Sequence, residues 1–260
     1  MSETHVSVTR EGRVARLTID REARRNALAP ETVDQLSAAL AAADADPEVG
    51  VIVLTGAGEK AFCSGGDLAG AAMQDGFLSG HEARRDYGQL LLQMRGLGTP
   101  LVARVNGYAL GGGLGLVAAC DLAVAVEHAK FGTPEIDRGL FPWMISALLM
   151  RVLPEKVARE LIFTGEKIDA ARAREVGLIN AVVPAGELDA KVAELAGKVA
   201  SKSPAILRLG RRALSLVDEQ PLPAAMELLA ALLSVNTLTE DAMEGVAAFL
   251  EKRAPEWKGR

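Results

Sequence analysis

The stretch NGYALGGGLGLVAACD, residues 106–121, sets three consecutive glycines between a strand-like run and a helix-like one, and Gly115 follows as a fourth. Inside a helix each glycine costs roughly 0.5–1 kcal/mol relative to alanine. The expected return is close approach: without side chains, backbone N–H groups can meet a ligand. The start of a helix also offers unpaired N–H groups and the positive end of its dipole.

Working outward, LVARV (Leu101–Val105) precedes this turn and LAVAV (Leu122–Val126) follows it. VIVLTG (Val51–Gly56) is a continuous apolar run, as expected of a strand covered on both faces. Nearer the start, Val6 and Val8, then Ala15, Leu17 and Ile19, alternate with polar residues around an EG turn, which predicts a hairpin. Pro30-Glu31 opens a helix carrying Val33, Leu36 and Leu40, and Asp46-Pro47 closes it. A last strand is predicted over residues 179–183. Strands interspersed with helices give an α/β fold with a largely parallel core.

From Glu187 onward the pattern is helical, so residues 1–200 are read as the core and 201–260 as a helical docking or oligomerisation region. Residues 69–88 carry the least pattern and are expected to form a loop or lid. The net charge of −5 argues against a nucleic-acid partner. The least charged stretch, 109–126, contains glycines and Asp121 and reads as buried core, not a membrane span. Cys63 and Cys120 have no metal-ligand or C-x-x-C spacing, and the first dozen residues show no secretory signal pattern. Both features fit a cytoplasmic protein with reduced thiols. His5, His81 and His128 form no triad or zinc pattern.

Two further stretches bear chemistry. AFCSGGDL (61–68) is a second glycine turn after a strand, and with ALGGGLG it can supply two N–H donors to one oxyanion. KFGTPEIDRGLFPWM (130–144) places Glu135 in apolar company, where desolvation raises a carboxyl pKa into a range useful for proton transfer. Each is equally readable as ordinary packing: tight turns in one case, a solvated glutamate in the other. Gly113, Gly115 and Ala118 also match the G-x-G-x-x-A dinucleotide fingerprint, with Glu135 about twenty residues on. That turn sits mid-chain, outside a first βα unit, so a nicotinamide-binding reading is weak.

In order, AFCSGGDL, VNGYALGGGLGLVAACDLAVA and AKFGTPEIDRGLFP resemble the crotonase, or enoyl-CoA hydratase/isomerase, superfamily. RLTIDREARRNALAPE near the start, GEKIDAARAREVGLINAVVP and the terminal TEDAMEGVAAFLEKR extend the likeness over nearly the whole chain. The resemblance implies a spiral of ββα units followed by a helical trimerisation region, assembled as a homotrimer or a hexamer of two trimers. It implies an acyl-CoA substrate and no cofactor beyond its CoA moiety. It places oxyanion donors at the amides of Gly66 and Gly112. Ala27 and the loop residues Ser64, Gly66, Asp67 and Leu68 would hold CoA, with Arg24 and Arg25 near its phosphates. Lys252 would reach a neighbouring subunit's CoA.

One departure stands out. Typical hydratases of the family carry two glutamates; the second corresponds to Glu135, whereas Gly115 stands at the position of the first. The reading is therefore a hydratase or dehydratase of short or branched 2-enoyl-CoA, including carboxylated esters of the 3-methylglutaconyl type, with Glu135 as acid and base. A double-bond isomerase using Glu135 alone and a catalytically weakened acyl-CoA-binding protein are the alternatives. Asp67, Asp75, Asp86 and Tyr87 are candidates for the missing acid. Arg84, Arg85 and Arg138 are candidates to meet an acidic tail.

Overall fold

The computed structural model describes residues 3–67 and 76–260. β1 (Val6–Glu11) and β2 (Val14–Ile19) form the expected antiparallel hairpin, with Val6 opposite Ile19 and Gly12 turning the chain at φ +54°. Ala15, Leu17 and Ile19 of β2 are buried, as their alternation requires. α1 (Pro30–Ala45) buries Val33, Leu36 and Leu40. Every residue of β3 (Val51–Gly56) is buried, which explains its unbroken apolar run.

Thereafter the chain repeats a unit. β3 is followed by β4 (Ala61–Cys63) and α2 (Phe77–Gly96). β5 (Leu101–Val105), β6 (Tyr108–Leu110) and α3 (Gly112–Ala119) come next, then β7 (Leu122–Val126) and β8 (Lys130–Gly132). α4 (Trp143–Val152), α5 (Glu155–Thr164), β9 (Ile168–Asp169), α6 (Ala170–Glu175) and β10 (Ala181–Val183) complete this part. Successive strands from β3 to β8 fall alternately into two sheets, one ordered β1-β2-β3-β5-β7-β10 and one ordered β4-β6-β8-β9. Each turn of the chain thus adds one strand to each sheet. The neighbours are parallel except for β1–β2 and β8–β9. This is the ββα spiral of the crotonase fold.

Leu17, Ile52, Leu54, Phe62, Met94, Leu101, Leu114 and Phe131 are fully buried between these layers. Burial of each large side chain contributes about 1.5–3 kcal/mol before conformational entropy is subtracted. α7 (Leu188–Ala200) lays Leu188, Val192 and Ala196, spaced four apart, against the larger sheet.

One expectation is corrected. Residues 77–88, read as part of a loop, are the first turns of α2; residues 69–75 lie outside the described residues. Tyr87, Leu90, Leu91 and Met94 are buried at helical spacing and hold that helix to the core.

α8 (Pro204–Val217), α9 (Leu222–Asn236) and α10 (Glu240–Glu251) follow. α8 is bolted to the core by Arg211, which is buried. Its Nε donates to Asp121 Oδ2 at 2.7 Å, and its other nitrogens donate to the Met94 and Leu97 carbonyls. The chain end folds back: buried Asp241 accepts from Ser203 Oγ and the amides of Lys258 and Gly259, and Trp257 Nε1 donates to Ser201 O. These helices nevertheless leave Leu214, Leu216, Leu222, Leu233, Phe249 and Leu250 exposed. No single helix among the described residues is long and apolar enough to cross a membrane.

Candidate active site

β4, β6 and β8 are adjacent parallel strands of the smaller sheet. The loops leaving their C-terminal ends carry Gly66, Gly112 and Glu135, respectively. Three groups far apart in sequence therefore meet at one edge, where ligands characteristically bind in parallel α/β sheets.

The glycines have separate reasons. Gly65 adopts φ +97°, and a β-carbon there would stand 3.0 Å from Leu110 O and 3.3 Å from Gly112 N, so only glycine brings the two loops together. Leu28 N donates to Gly65 O at 2.8 Å and Asp67 N to Leu28 O at 2.9 Å, which fixes the first loop. Gly111 has φ +52°, and its N–H donates to Gly132 O at 2.9 Å. A β-carbon on Gly113 would overlap Cys63 O. The amides of Gly66 and Gly112 donate to no acceptor among the described residues. Two unspent N–H donors on neighbouring loops are suited to an oxygen that gains negative charge.

Both glycines line a cavity of about 340 Å³. Leu28, Val33, Leu140, Phe141, Met144 and Ile145 make its walls largely apolar. At the rim, Phe141 and Trp143 pack with ring centroids 4.6 Å apart, although Trp143 is 75% exposed.

Glu135 leads into a short helical turn, Ile136–Arg138, and its carbonyl accepts from the amides of Arg138 and Leu140. Glu135 lines the cavity. Oε1 rests on Gly111, 2.5 Å from where a β-carbon would be, and Oε2 is buried with no hydrogen-bond partner among the described residues. Burial raises the Glu135 pKa above the ordinary glutamate value, opposed by its own backbone hydrogen bond and by Arg138. An orphaned, partly desolvated carboxylate is a proton acceptor held ready for a partner.

Tyr87, from α2, donates its hydroxyl hydrogen to Gly112 O at 2.7 Å. Burial, then Cys63 and Glu135, push its pKa well above that of an ordinary tyrosine. A β-carbon on Gly115 would overlap the Tyr87 hydroxyl and approach Ile145 Cγ2 at 2.5 Å. Burial likewise pushes the Cys63 thiol up to about 12, and that of Cys120 higher, so neither is suited to nucleophilic work.

Of the residues singled out from sequence, the structure brings Gly66, Asp67, Arg84, Tyr87, Gly112 and Glu135 into the cavity wall. Asp67 is paired with Arg21 at 3.0 Å, and Arg21 also donates to Ala27 O, a brace that the sequence did not disclose. Gly115 lies behind Tyr87 and does not line the cavity. Ala27 is buried. Arg24 and Arg25 are exposed beside Ser64, whose amide donates to Arg25 O at 3.1 Å. Lys252 is exposed at the end of α10, outside the cavity. Leu68 and Asp75 lie outside the described residues, and Asp86 is exposed. Arg84 lines the cavity, whereas Arg85 and Arg138 do not.

The dinucleotide reading of Gly113 and Gly115 is not supported. Both glycines are buried against protein, and α3 runs directly into β7. Two groups were underread: Tyr87, and the apolar wall 140–145.

A family model described as enoyl-CoA hydratase/isomerase matches residues 9–260. The 2,3-dehydroadipyl-CoA hydratase of Escherichia coli (strain K12) is 38% identical over 261 residues, covering 100% of each chain. The crotonyl-CoA hydratase of Syntrophomonas wolfei is 35% identical, covering 97% of each. Among solved structures, the enoyl-CoA hydratase from Bacillus anthracis superposes with a TM-score of 0.95 at 34% identity, covering 99% of this chain and 100% of that one. The chain belongs to the enoyl-CoA hydratase/isomerase family, the crotonase superfamily. Within it, the protein is an enzyme of the hydro-lyase kind.

Proposed function

We propose that the protein adds water across the double bond of 2-enoyl-CoA thioesters, or removes it from the 3-hydroxy form, with Glu135 as the acid and base. The thioester oxygen sits between the amides of Gly66 and Gly112. Glu135 takes a proton from water as oxygen bonds to the β-carbon. The double-bond electrons move through the α-carbon onto the thioester oxygen, and the two amides stabilise the enolate. Glu135 then returns the proton to the α-carbon, which regenerates the carboxylate. The observation that carries this reading is the unpartnered, buried Oε2 of Glu135 in the cavity that Gly66 and Gly112 share.

The test follows the loss of enoyl absorbance with crotonyl-CoA. Wild-type turnover that is abolished by Glu135→Gln, with thioester binding retained, supports the reading. No hydration of any short, branched or carboxylated enoyl-CoA defeats it. An isomerase reading draws on one observation: Asp67, the other carboxylate of the cavity wall, is engaged by Arg21. That leaves Glu135 as the single free base among the described residues of the wall, which suffices to move a proton between two carbons. Incorporation of labelled water oxygen into product separates the two reactions.

The apolar walls favour short or branched acyl groups. Arg84 is the one cation among the described residues lining the cavity, and it suits a substrate whose far end bears a carboxylate. The name of the Escherichia coli relative points in the same direction. For CoA, the proposal keeps Ala27, Ser64, Gly66, Asp67 and Leu68, with Arg24 and Arg25 toward the phosphates.

Residues 201–260 are proposed to join copies of the chain into trimers. The exposed Leu214, Leu216, Leu233 and Phe249 on α8–α10 support this. A monomeric mass by light scattering at micromolar concentration overturns it.

A further inference from the structure

Hydration demands more of the site than proton transfer does, because the water must be held as well as deprotonated. A bound water offers two hydrogens, and Glu135 accepts only the one it removes. Among the described residues of the cavity wall, one bears a hydroxyl: Tyr87, which is buried. Its own hydrogen is committed to Gly112 O at 2.7 Å, so its oxygen has lone pairs left to accept.

Three features set this hydroxyl beside the groups proposed to react. Gly112, whose carbonyl it binds, is also the residue whose amide faces the proposed thioester oxygen. Glu135 Oε1 rests on the adjacent residue, Gly111, so carboxylate and phenol are anchored on consecutive residues of one turn. Finally, Gly115 leaves the hydroxyl its space: a β-carbon there would overlap it. The volume that a side chain at 115 would take is filled by an oxygen delivered from α2.

We propose that the Tyr87 hydroxyl holds the water that adds to the β-carbon, accepting one of its hydrogens while Glu135 takes the other. Tyr87 is then a catalytic residue toward water and a bystander toward the thioester. It transfers no proton: the water's O–H bond to Glu135 breaks, the oxygen–carbon bond forms, and the O–H directed at Tyr87 survives as the product hydroxyl. The high pKa of the buried phenol keeps it protonated, which preserves its bond to Gly112 O.

This rests on the hydratase reading, and the test separates the two. Two rates are measured on the same enzyme. One is hydration of crotonyl-CoA. The other is exchange of the α-hydrogens of butyryl-CoA with deuterated water, which needs Glu135 and the amide cradle but no bound water. Tyr87→Phe is expected to lower the ratio of hydration to exchange about tenfold or more, the loss that one hydrogen bond of about 1.4 kcal/mol represents. The KM for crotonyl-CoA should stay within about threefold, since the thioester is not touched.

Gly115→Ala, which keeps the phenol but crowds its oxygen, should lower the same ratio, and it covers the case in which Tyr87→Phe folds poorly. Equal loss of both rates in the two variants would make Tyr87 a mere support for the turn and overturn the assignment. An unchanged ratio in both would overturn it as well. A wild type that exchanges but never hydrates would overturn the hydratase reading first, and this proposal with it.

Discussion

Gly111 and Glu135 are in contact with no side chain between them: a β-carbon on Gly111 would stand 2.5 Å from Glu135 Oε1. The backbone of Gly111, at φ +52° and ψ −124°, also lies where residues with a β-carbon are strained. Gly111→Ala is therefore expected to destabilise the fold by about 1–3 kcal/mol. It should also push the carboxylate out of place, lowering kcat/KM for crotonyl-CoA by about a hundredfold, the usual consequence of a 1 Å misplacement. Urea melts and initial rates on the same preparation check both effects. Wild-type rates in the variant would show that the carboxylate position does not matter.

The raised pKa of Glu135 sets two opposite pH trends. As the proposed base it works when ionised, so kcat/KM for hydration should rise with pH through a value above that of an ordinary glutamate. Stability runs the other way. Between the ordinary and the raised pKa the folded state binds more protons than the unfolded one, so this group's contribution falls as pH increases. Glu135→Gln should therefore melt higher than wild type at pH 7, and the gap should close below about pH 4, where both states are protonated. Melting curves at the two pH values give the sign directly.

Arg84 stands at the rim of a cavity that is otherwise mostly apolar. Its removal should matter only to a substrate with a charge to meet it. Arg84→Ala is expected to raise KM about three- to tenfold for an enoyl-CoA bearing a terminal carboxylate, in keeping with one partly exposed ion pair. For crotonyl-CoA the KM should be unchanged. Equal effects on both esters would assign Arg84 to CoA or to folding instead.

Asp121 accepts from Leu101 N and from Arg211 Nε, both at 2.7 Å, and so ties the start of β5 to α8. Arg211 is buried whereas the Asp121 side chain is one-third exposed, so removing the guanidinium chiefly strands the buried Met94 and Leu97 carbonyls, at a cost of about 1–3 kcal/mol. Arg211→Met should lose stability on that scale in denaturant titrations. Amide exchange in α8 should accelerate more than in β3. Uniform acceleration along the chain would mean that α8 is held chiefly by other contacts.

The fold was legible wherever one local pattern sufficed. Residues 51–56 are apolar throughout because every one is buried, and the hairpin alternates because one face of β2 is covered. The glycine turns were legible as close approaches, though not whom they approach: Gly113 meets Cys63, fifty residues earlier, and Gly111 meets Glu135. Tyr87 was the harder case. It begins a buried stripe with Leu90, Leu91 and Met94, but the exposed first turns of α2 before it mask that period. Its relation to Gly115 exists only once α2 has docked on α3, and no spacing along the chain encodes that docking. The same holds for Arg21 and Asp67, partners across 46 residues.

The three groups proposed to do the chemistry hang from neighbouring rungs of one short ladder, a few residues beyond β4, β6 and β8. Their spacing is consequently inherited from backbone pairing, which repeats at about 4.8 Å whatever the side chains are. A replacement at one tip changes what that position does while the remaining two keep their distance. Such a scaffold can trade one reaction for another by a single exchange, with no recalibration of the proposed grip on the thioester.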